Sequence, residues 1–311
     1  MRVKLQLVLC SDDGQEHTVT DLVTLQKDHR RIEHLGLTLA EAKQLLHTIQ
    51  HRVLQRQVHT FLDTRSTCKD CGTPLKVKGS HTRSFRTLFG TFKLRSPRLF
   101  HCRCRRRKTT SFRPLSSILT ESVAPALLLM ETKWASLVSY GMTVEALTDF
   151  LPLDITLDVK TVRSDTLKVA QRCEAELGKE QMFFVDGCPR DWERLPIPDG
   201  PITVGIDGAY VRDWNEKKRN FEGIVGKSTL AFKREDENDI PSSKCFGFVQ
   251  TFDPKPKRRL FEVLKSQGFQ LNQQLTFLSD GEDPVRDLQL YLSPEAEHIL
   301  DWFHVVRQEV A

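Results

Sequence analysis

A chain of 311 residues that is 39% hydrophobic and 28% charged is long enough for two or three domains and apolar enough to bury their cores, which excludes wholesale disorder. No run of about 18 apolar residues occurs, so no membrane-spanning helix is expected. The net charge of +5 is unevenly spread: Lys76 to Arg113 holds thirteen Lys or Arg and no Asp or Glu, the footprint of a polyanion partner, here expected to be nucleic acid.

The N-terminal residues Met1 to Cys10 alternate apolar and polar side chains before Ser11, Asp12 and Asp13, which is strand patterning and not a signal peptide. A cytoplasmic protein is expected. Residues 1 to 30 predict two short strands joined around Asp12, Asp13 and Gly14, and Leu37 to Leu62 repeats apolar residues at helical spacing. From Thr67 to about Phe112 two cysteine pairs flank a β-hairpin turning near Gly90.

Residues 120 to 178 are helical in pattern, with Pro125 near a helix start and Gly178 at the close. Inside this stretch a short helix spans Tyr140 to about Phe150, and a second begins near Lys160 after a proline-containing turn. Lys160, Arg163, Lys168 and Arg172 decorate the second helix. The pair fits a helix-turn-helix with a longer turn than usual, or a helical connector with a solvated basic face.

From Pro201 the pattern is strand Ile202 to Val211, strand Phe221 to Lys227, strand Phe246 to Phe252, helix Arg258 to Gln267, strand Leu275 to Ser279, helix Pro284 to Leu292 and strand His298 to Phe303. Three strands followed by helix, strand, helix, strand is the order of the RNase H-like fold. The expected architecture is multidomain α+β: an N-terminal hairpin plus long helix (1–66), a basic zinc-ribbon-like module (67–113), a helical segment (114–180) and an incomplete RNase H-like α/β core (200–311).

Eight cysteines without an export signal argue for metal over disulfides. Cys68 and Cys71 form a C-x-x-C knuckle, and Cys102 and Cys104 follow with 30 residues intervening. A hairpin can bring two such pairs onto one tetrahedral Zn²⁺, with His101 or His81 as a substitute for one sulfur; the four cysteines are the preferred set. A closed site of this kind is structural. Lys93, Arg95, Arg98, Arg103, Arg105, Arg106, Arg107 and Lys108 surround it, with Lys160 and Arg163 further on, as candidates to neutralise DNA phosphates. Phe85, Phe89, Phe92 and Phe100 are read as the small module's own core, and Cys10, Cys173, Cys188 and Cys245 as ordinary buried side chains.

Asp207 falls in the middle of a β-branched strand, where a buried carboxylate needs a partner, and Asp280 ends another apolar strand. In an RNase H-like sheet those strands are neighbours. Two carboxylates facing one site suit Mg²⁺ or Mn²⁺, and a pair of such ions supports in-line displacement at phosphorus. Taken alone, Asp280 would be a turn residue of Ser-Asp-Gly. His304, in Asp301-Trp302-Phe303-His304, could orient a carboxylate or simply be a core histidine. Asp186, followed by Asp191, Glu193 and several prolines, is a poorer first acid than Asp207.

Together the cysteine module, Thr132 to Gly141, Val204-Gly205-Ile206-Asp207-Gly208, Ser243 to Gln250, Phe277-Leu278-Ser279-Asp280-Gly281 and Asp301-Trp302-Phe303-His304 resemble the bacterial Kra-type insertion-sequence transposases, similar to the Mutator-like group. The resemblance spans about Thr67 to His304. It implies a DDE transposase that binds transposon ends as double-stranded DNA, works as a homo-oligomer, and uses Asp207 and Asp280 as its first two catalytic acids, with Asp301 and His304 matching a D-x-x-H signature. The family's third acid, a glutamate, lies on a helix well downstream, whereas Glu309 is the only carboxylate after His304 here. A truncated copy with impaired strand transfer is therefore expected, the alternative being a zinc-dependent DNA-binding protein without catalysis.

Overall fold

The computed structural model describes residues 1–10, 17–28, 30–104, 110–153, 157–180, 189–198, 200–213, 216, 219–230, 243–250 and 252–301. They belong to two compact units, Met1–Gln171 and Arg172–Ala311.

The first unit opens with β1 (Arg2–Cys10) and β2 (His17–Gln26), an antiparallel pair whose expected turn at Asp12 to Gly14 lies outside the described residues. Next comes α1 (Leu39–Asp63). Its start is set by Thr38, whose hydroxyl accepts the Glu41 amide while the Glu41 side chain accepts the Thr38 amide, so two orphan helix donors are satisfied reciprocally. Lys27 reaches the same Glu41 carboxylate and ties β2 to the helix.

A three-stranded sheet follows, β3 (Val77–Thr87), β4 (Gly90–Phe100) and β5 (Ser111–Phe112), with β4 central. The tight turn needs Gly90: its φ is +122°, and a Cβ there would meet the His47 ring at 2.5 Å. Strand β4 alternates Phe92, Leu94 and Ser96 inward with Lys93 and Arg95 outward. Its inner face packs on Leu54, Val58, Phe61 and Leu62 of α1 and on Leu115, so the long helix and the hairpin share one core. Burying each such side chain contributes about 1.5–3 kcal/mol. Phe85 and Phe92 serve this core as expected, but Phe100 is 40% exposed, with the Lys78 ammonium 5.4 Å from its ring. The alternation slips at Pro97, opposite the register shift between Val77 and Gly79, so that Leu99 turns inward and Phe100 outward.

Helices α2 (Pro125–Ala135), α3 (Tyr140–Phe150) and α4 (Val159–Glu176) complete the unit. Leu147, Leu157 and Val162 are buried among Met130, Trp134, Tyr140 and Val144, which makes the three helices a small bundle. Ser139 caps α3, accepting the Met142 amide at 3.3 Å. Arg86 of β3 pairs with the fully buried Glu131 of α2 at 3.3 Å and with Asp165 of α4. This ion triad pins the hairpin's turn end to two helices.

In the second unit a short helix, α5 (Pro189–Trp192), precedes β6 (Ile202–Arg212), β7 (Asn220–Leu230), β8 (Ser243–Val249), α6 (Pro256–Lys265), β9 (Leu275–Ser279), α7 (Asp283–Leu292) and β10 (Glu297–Leu300). The five strands form one sheet in the order β10-β9-β6-β7-β8. β7 runs antiparallel to β6 and β8, whereas β9 and β10 run parallel to β6. One face carries Ile202, Val204, Ile206, Ile224, Phe246 and Phe277 onto Leu260 and Leu264 of α6 and Val285, Leu288 and Leu292 of α7. On the other face Val225, Leu278 and Ile299 are 58%, 40% and 46% exposed.

Several strand bounds differ from expectation: β7 runs on to Leu230 and β8 begins at Ser243, three residues beyond the expected limits in each case. The third strand of the core ends at Val249 and not Phe252, because the Phe252 and Asp253 amides both turn back to the Val249 carbonyl at 2.9 Å. The last strand ends at Leu300, and the remainder of the expected strand, Trp302 and Phe303, lies outside the described residues.

Candidate metal centre, acidic cleft and basic ribbon

Cys68 and Cys71 sit on a tight turn in which the Gly72 amide donates to the Cys68 carbonyl and the Cys68 amide to the Thr73 carbonyl, both at 2.9 Å. Gly72, at φ +71°, takes the left-handed conformation that lets the chain fold back on itself. Cys102 and Cys104 follow directly on the end of β4. All four sulfurs lie within 4.8 Å of one another, with Cys68 to Cys104 at 3.5 Å and Cys71 to Cys102 at 3.4 Å. Tetrahedral thiolates at the usual zinc distance would stand ~3.8 Å apart. The set could hold a metal such as zinc, with every coordination position filled by protein.

Without a cation Cys71 and Cys104 are shifted in opposite directions. Hydrogen bonding by Thr73 holds Cys71 down to about 6, while the neighbouring Cys102 and Cys68 push Cys104 up to about 12. A divalent ion would stabilise all four thiolates at once. Neither histidine substitutes for a sulfur: His101 stacks on Phe112 with centroids 4.7 Å apart, and His81 pairs with Ser96 along the ribbon.

The acidic residues of the second unit are arranged by strand register. Gly205 of β6 is aligned with Leu278 of β9, and Leu278 with Ile299 of β10. Two residues further along each parallel strand stand Asp207, Asp280 and Asp301, which therefore form a row on one face and line one open cleft of about 460 Å³, together with Val225, Lys227 and Cys245. Asp207 is exposed, because its parity is opposite to that of the buried Ile202, Val204 and Ile206 and sets it on the uncovered face of the sheet. The desolvation penalty expected for it therefore does not arise; what it lacks is cover, not a partner. Among the described residues no three of these carboxylates converge as the thiols do.

A further carboxylate, Glu222, lies opposite Tyr210 on β7, 8% exposed, and its buried Oε1 has no hydrogen-bond partner. It fits against Gly208, where a Cβ would come within 2.9 Å of that oxygen. Burial raises the Glu222 pKa, and the charges of Glu282 and Asp280 add to the shift. Glu222, Glu282 and Asp280 together also raise Tyr210. Negative potential thus gathers at the end of the sheet that holds the aspartate row. Sequence reading missed Glu222, and it placed Asp301 in a signature with His304 without seeing the row; the β6 to β9 pairing was the signal that could have found it.

Among the expected DNA-contact residues, Lys93 and Arg95 are exposed on one face of β4, and Arg103 is exposed between the second pair of cysteines. Arg98 is exposed as well, beyond the slip in alternation at Pro97, and its Nε donates to Ser111 Oγ at 2.9 Å. Lys160 and Arg163 are exposed on α4, while Lys168 pairs with Glu121 at 2.8 Å. Arg105, Arg106, Arg107, Lys108, His304, Asp186 and Cys188 lie outside the described residues. Cys10, Cys173 and Cys245 are exposed rather than buried, a correction that follows from their places at a strand end, on a helix's outer side and on the uncovered sheet face.

No family model and no curated protein matches the chain. Among solved structures it is similar to the foamy viral protease-reverse transcriptase in complex with dsDNA, at 12% identity and a TM-score of 0.20, over 38% of this chain and 92% of that one. At that TM-score the overlap does not define a shared fold. Among the described residues no helix is long and apolar enough to cross a membrane.

Proposed function

We propose that this chain is a DNA transposase of the Kra-type, Mutator-like kind, with an RNase H-like core in its second unit and a zinc-stabilised DNA-binding ribbon and helix-turn-helix in its first. The observation that carries the reading is the row Asp207, Asp280, Asp301 across three adjacent parallel strands of a sheet ordered β10-β9-β6-β7-β8. Renumbered by appearance within the unit, that order is 5-4-1-2-3 with the second strand antiparallel, as an RNase H-like core requires.

Hard carboxylate oxygens in an open cleft suit Mg²⁺ or Mn²⁺, which take one or two protein carboxylates and keep their other positions for water and phosphate oxygens. Such an ion, when bound, supplies Lewis-acid stabilisation to displacement at phosphorus. Asp207 and Asp280 are the first ligands in this reading, and Asp301 extends the row on β10. Lys227, on the β7 side of the cleft, gives it a cationic wall that can meet a phosphate.

A second reading, a zinc-dependent DNA-binding protein without chemistry, is favoured by the failure of any three carboxylates to converge among the described residues. Calorimetric titration of Mn²⁺ into the zinc-loaded protein, followed by a supercoiled-plasmid nicking assay, separates the two. Mn²⁺ binding and nicking that both disappear in Asp207→Asn and Asp280→Asn support the transposase. Binding of duplex DNA without either activity supports the second reading.

A further inference from the structure

The ribbon β3–β4 has two faces: the inner one packs on α1, and the outer one is engaged at its turn end, where Arg86 reaches Glu131 and Asp165. Its outer face presents Ser80, Thr82 and Ser84 on β3, all exposed, with Thr82 opposite Arg95 and Ser84 opposite Lys93. Lys93 and Arg95 point out of the same strand roughly 7 Å apart. No carboxylate occurs anywhere between Lys76 and Arg113. Such a surface, hydroxyl-lined and cationic, is complementary to phosphate; Phe92 and Leu94 face inward onto α1, and the exposed Phe100 stands at the ribbon's base beyond Arg95.

We propose that the outer face of this ribbon is laid on duplex DNA, with Lys93 and Arg95 neutralising backbone phosphates and the hydroxyls of Thr82 and Ser84 donating to phosphate oxygens between them. The proposal rests on the DNA-binding reading above and adds which surface of the first unit makes the contact. A two-stranded ribbon is of a size the DNA major groove and its flanking backbones accept, and hydroxyl and basic side chains are the usual phosphate donors. The Arg86 triad holds the turn end of the ribbon against α4, the helix that also carries the exposed Lys160 and Arg163.

The test is fluorescence anisotropy with a labelled duplex and with the corresponding single strand, across a salt series, on zinc-loaded full chain. The variants are Lys93→Ala with Arg95→Ala, Thr82→Glu, and a charge-matched control of Lys133→Ala with Lys265→Ala, each checked for zinc content and circular dichroism. Expected are at least tenfold weaker duplex binding in the ribbon double variant and in Thr82→Glu, a salt slope reduced by about two in the double variant, and less than twofold change in the control. Wild-type affinity and slope in a ribbon variant that retains its zinc overturn the ribbon assignment while leaving DNA binding intact. Equal losses in the ribbon and control variants overturn it too, since any two cations would then serve. No duplex binding by the wild type, or binding of the single strand alone, overturns the DNA-binding reading itself. Lys93→Arg with Arg95→Lys, which keeps the charge, should bind within about twofold of wild type, and a large loss there would also count against phosphate neutralisation.

Discussion

Asp207 and Asp280 stand on neighbouring parallel strands, each two residues beyond the aligned pair Gly205 and Leu278, so their carboxylates share one face of the sheet and one cleft. In any parallel pair, residues at equal offsets from an aligned pair share a face. A one-residue slip of β9 would send Asp280 to the helix-covered side, where Phe277 already packs.

If that row holds a divalent ion, Mn²⁺ at a hundred times its dissociation constant should stabilise the protein by about 2.7 kcal/mol, read as a rise in thermal midpoint. Asp207→Asn and Asp280→Asn should each abolish the rise while leaving the apo midpoint unchanged or higher, since a like charge has been removed from the cleft. An undiminished rise in both variants places the ion elsewhere.

Removal of zinc should act on the first unit and spare the second. Chelation, or Cys102→Ser, is expected to lower the metal content from one zinc per chain and to abolish protection of the ribbon amides in hydrogen exchange, while β6 and β9 stay protected. Loss of protection in both units, or in neither, contradicts an independent structural site.

Arg86 holds two carboxylates, one of them wholly buried. Arg86→Met should destabilise the protein by about 3–5 kcal/mol, because Glu131 is left uncompensated. Burial raises the Glu131 pKa to about 7, the Arg86 charge opposing the shift and the Asp165 charge adding to it. The folded state therefore holds this proton more tightly than the unfolded one. Its contribution is complete below pH ~4.5 and is lost as pH rises through about 7. Urea midpoints of the first unit should fall across that window, and Glu131→Gln should flatten the fall; an unchanged slope in the variant would exclude Glu131 as its source.

Gly226 of β7 lies under the Phe246 ring, and a Cβ there would sit 2.2 Å from it. Gly226→Ala should displace the ring from the core beside the cleft and cost about 1–3 kcal/mol in equilibrium unfolding. A wild-type unfolding midpoint would mean that Phe246 has another place to go.

Much of this was legible in one dimension. Strand alternation, the glycine at the hairpin turn, the paired cysteines and the order of core elements are local patterns, and each predicted element reappears within a few residues. The misjudged residues depend on neighbours distant in sequence. Asp207 was taken as buried because its strand is apolar, yet only the face of β6 carrying Ile202, Val204 and Ile206 is covered by helices. Asp301 joins Asp207 only through β9, across 94 positions of chain, and Glu222 is visible only once β7 is registered against Tyr210 and Gly208. Phe100 looked like core by composition, but a register shift at the ribbon base breaks the alternation and buries Leu99 in its place.

Sulfur contacts run across the ribbon base, Cys68 to Cys104 and Cys71 to Cys102, joining one knuckle to the other. A metal there is a clasp at one end of a hairpin whose other end is riveted by Arg86. Opening of this module should therefore be directional: when the clasp is released, the strands unzip from Val77 and Phe100 toward Gly90, and the last part to let go is the turn held between the helices. A cell that withholds zinc would not erase the module but leave it half open, with the inner surface of β4 uncovered from the base upward.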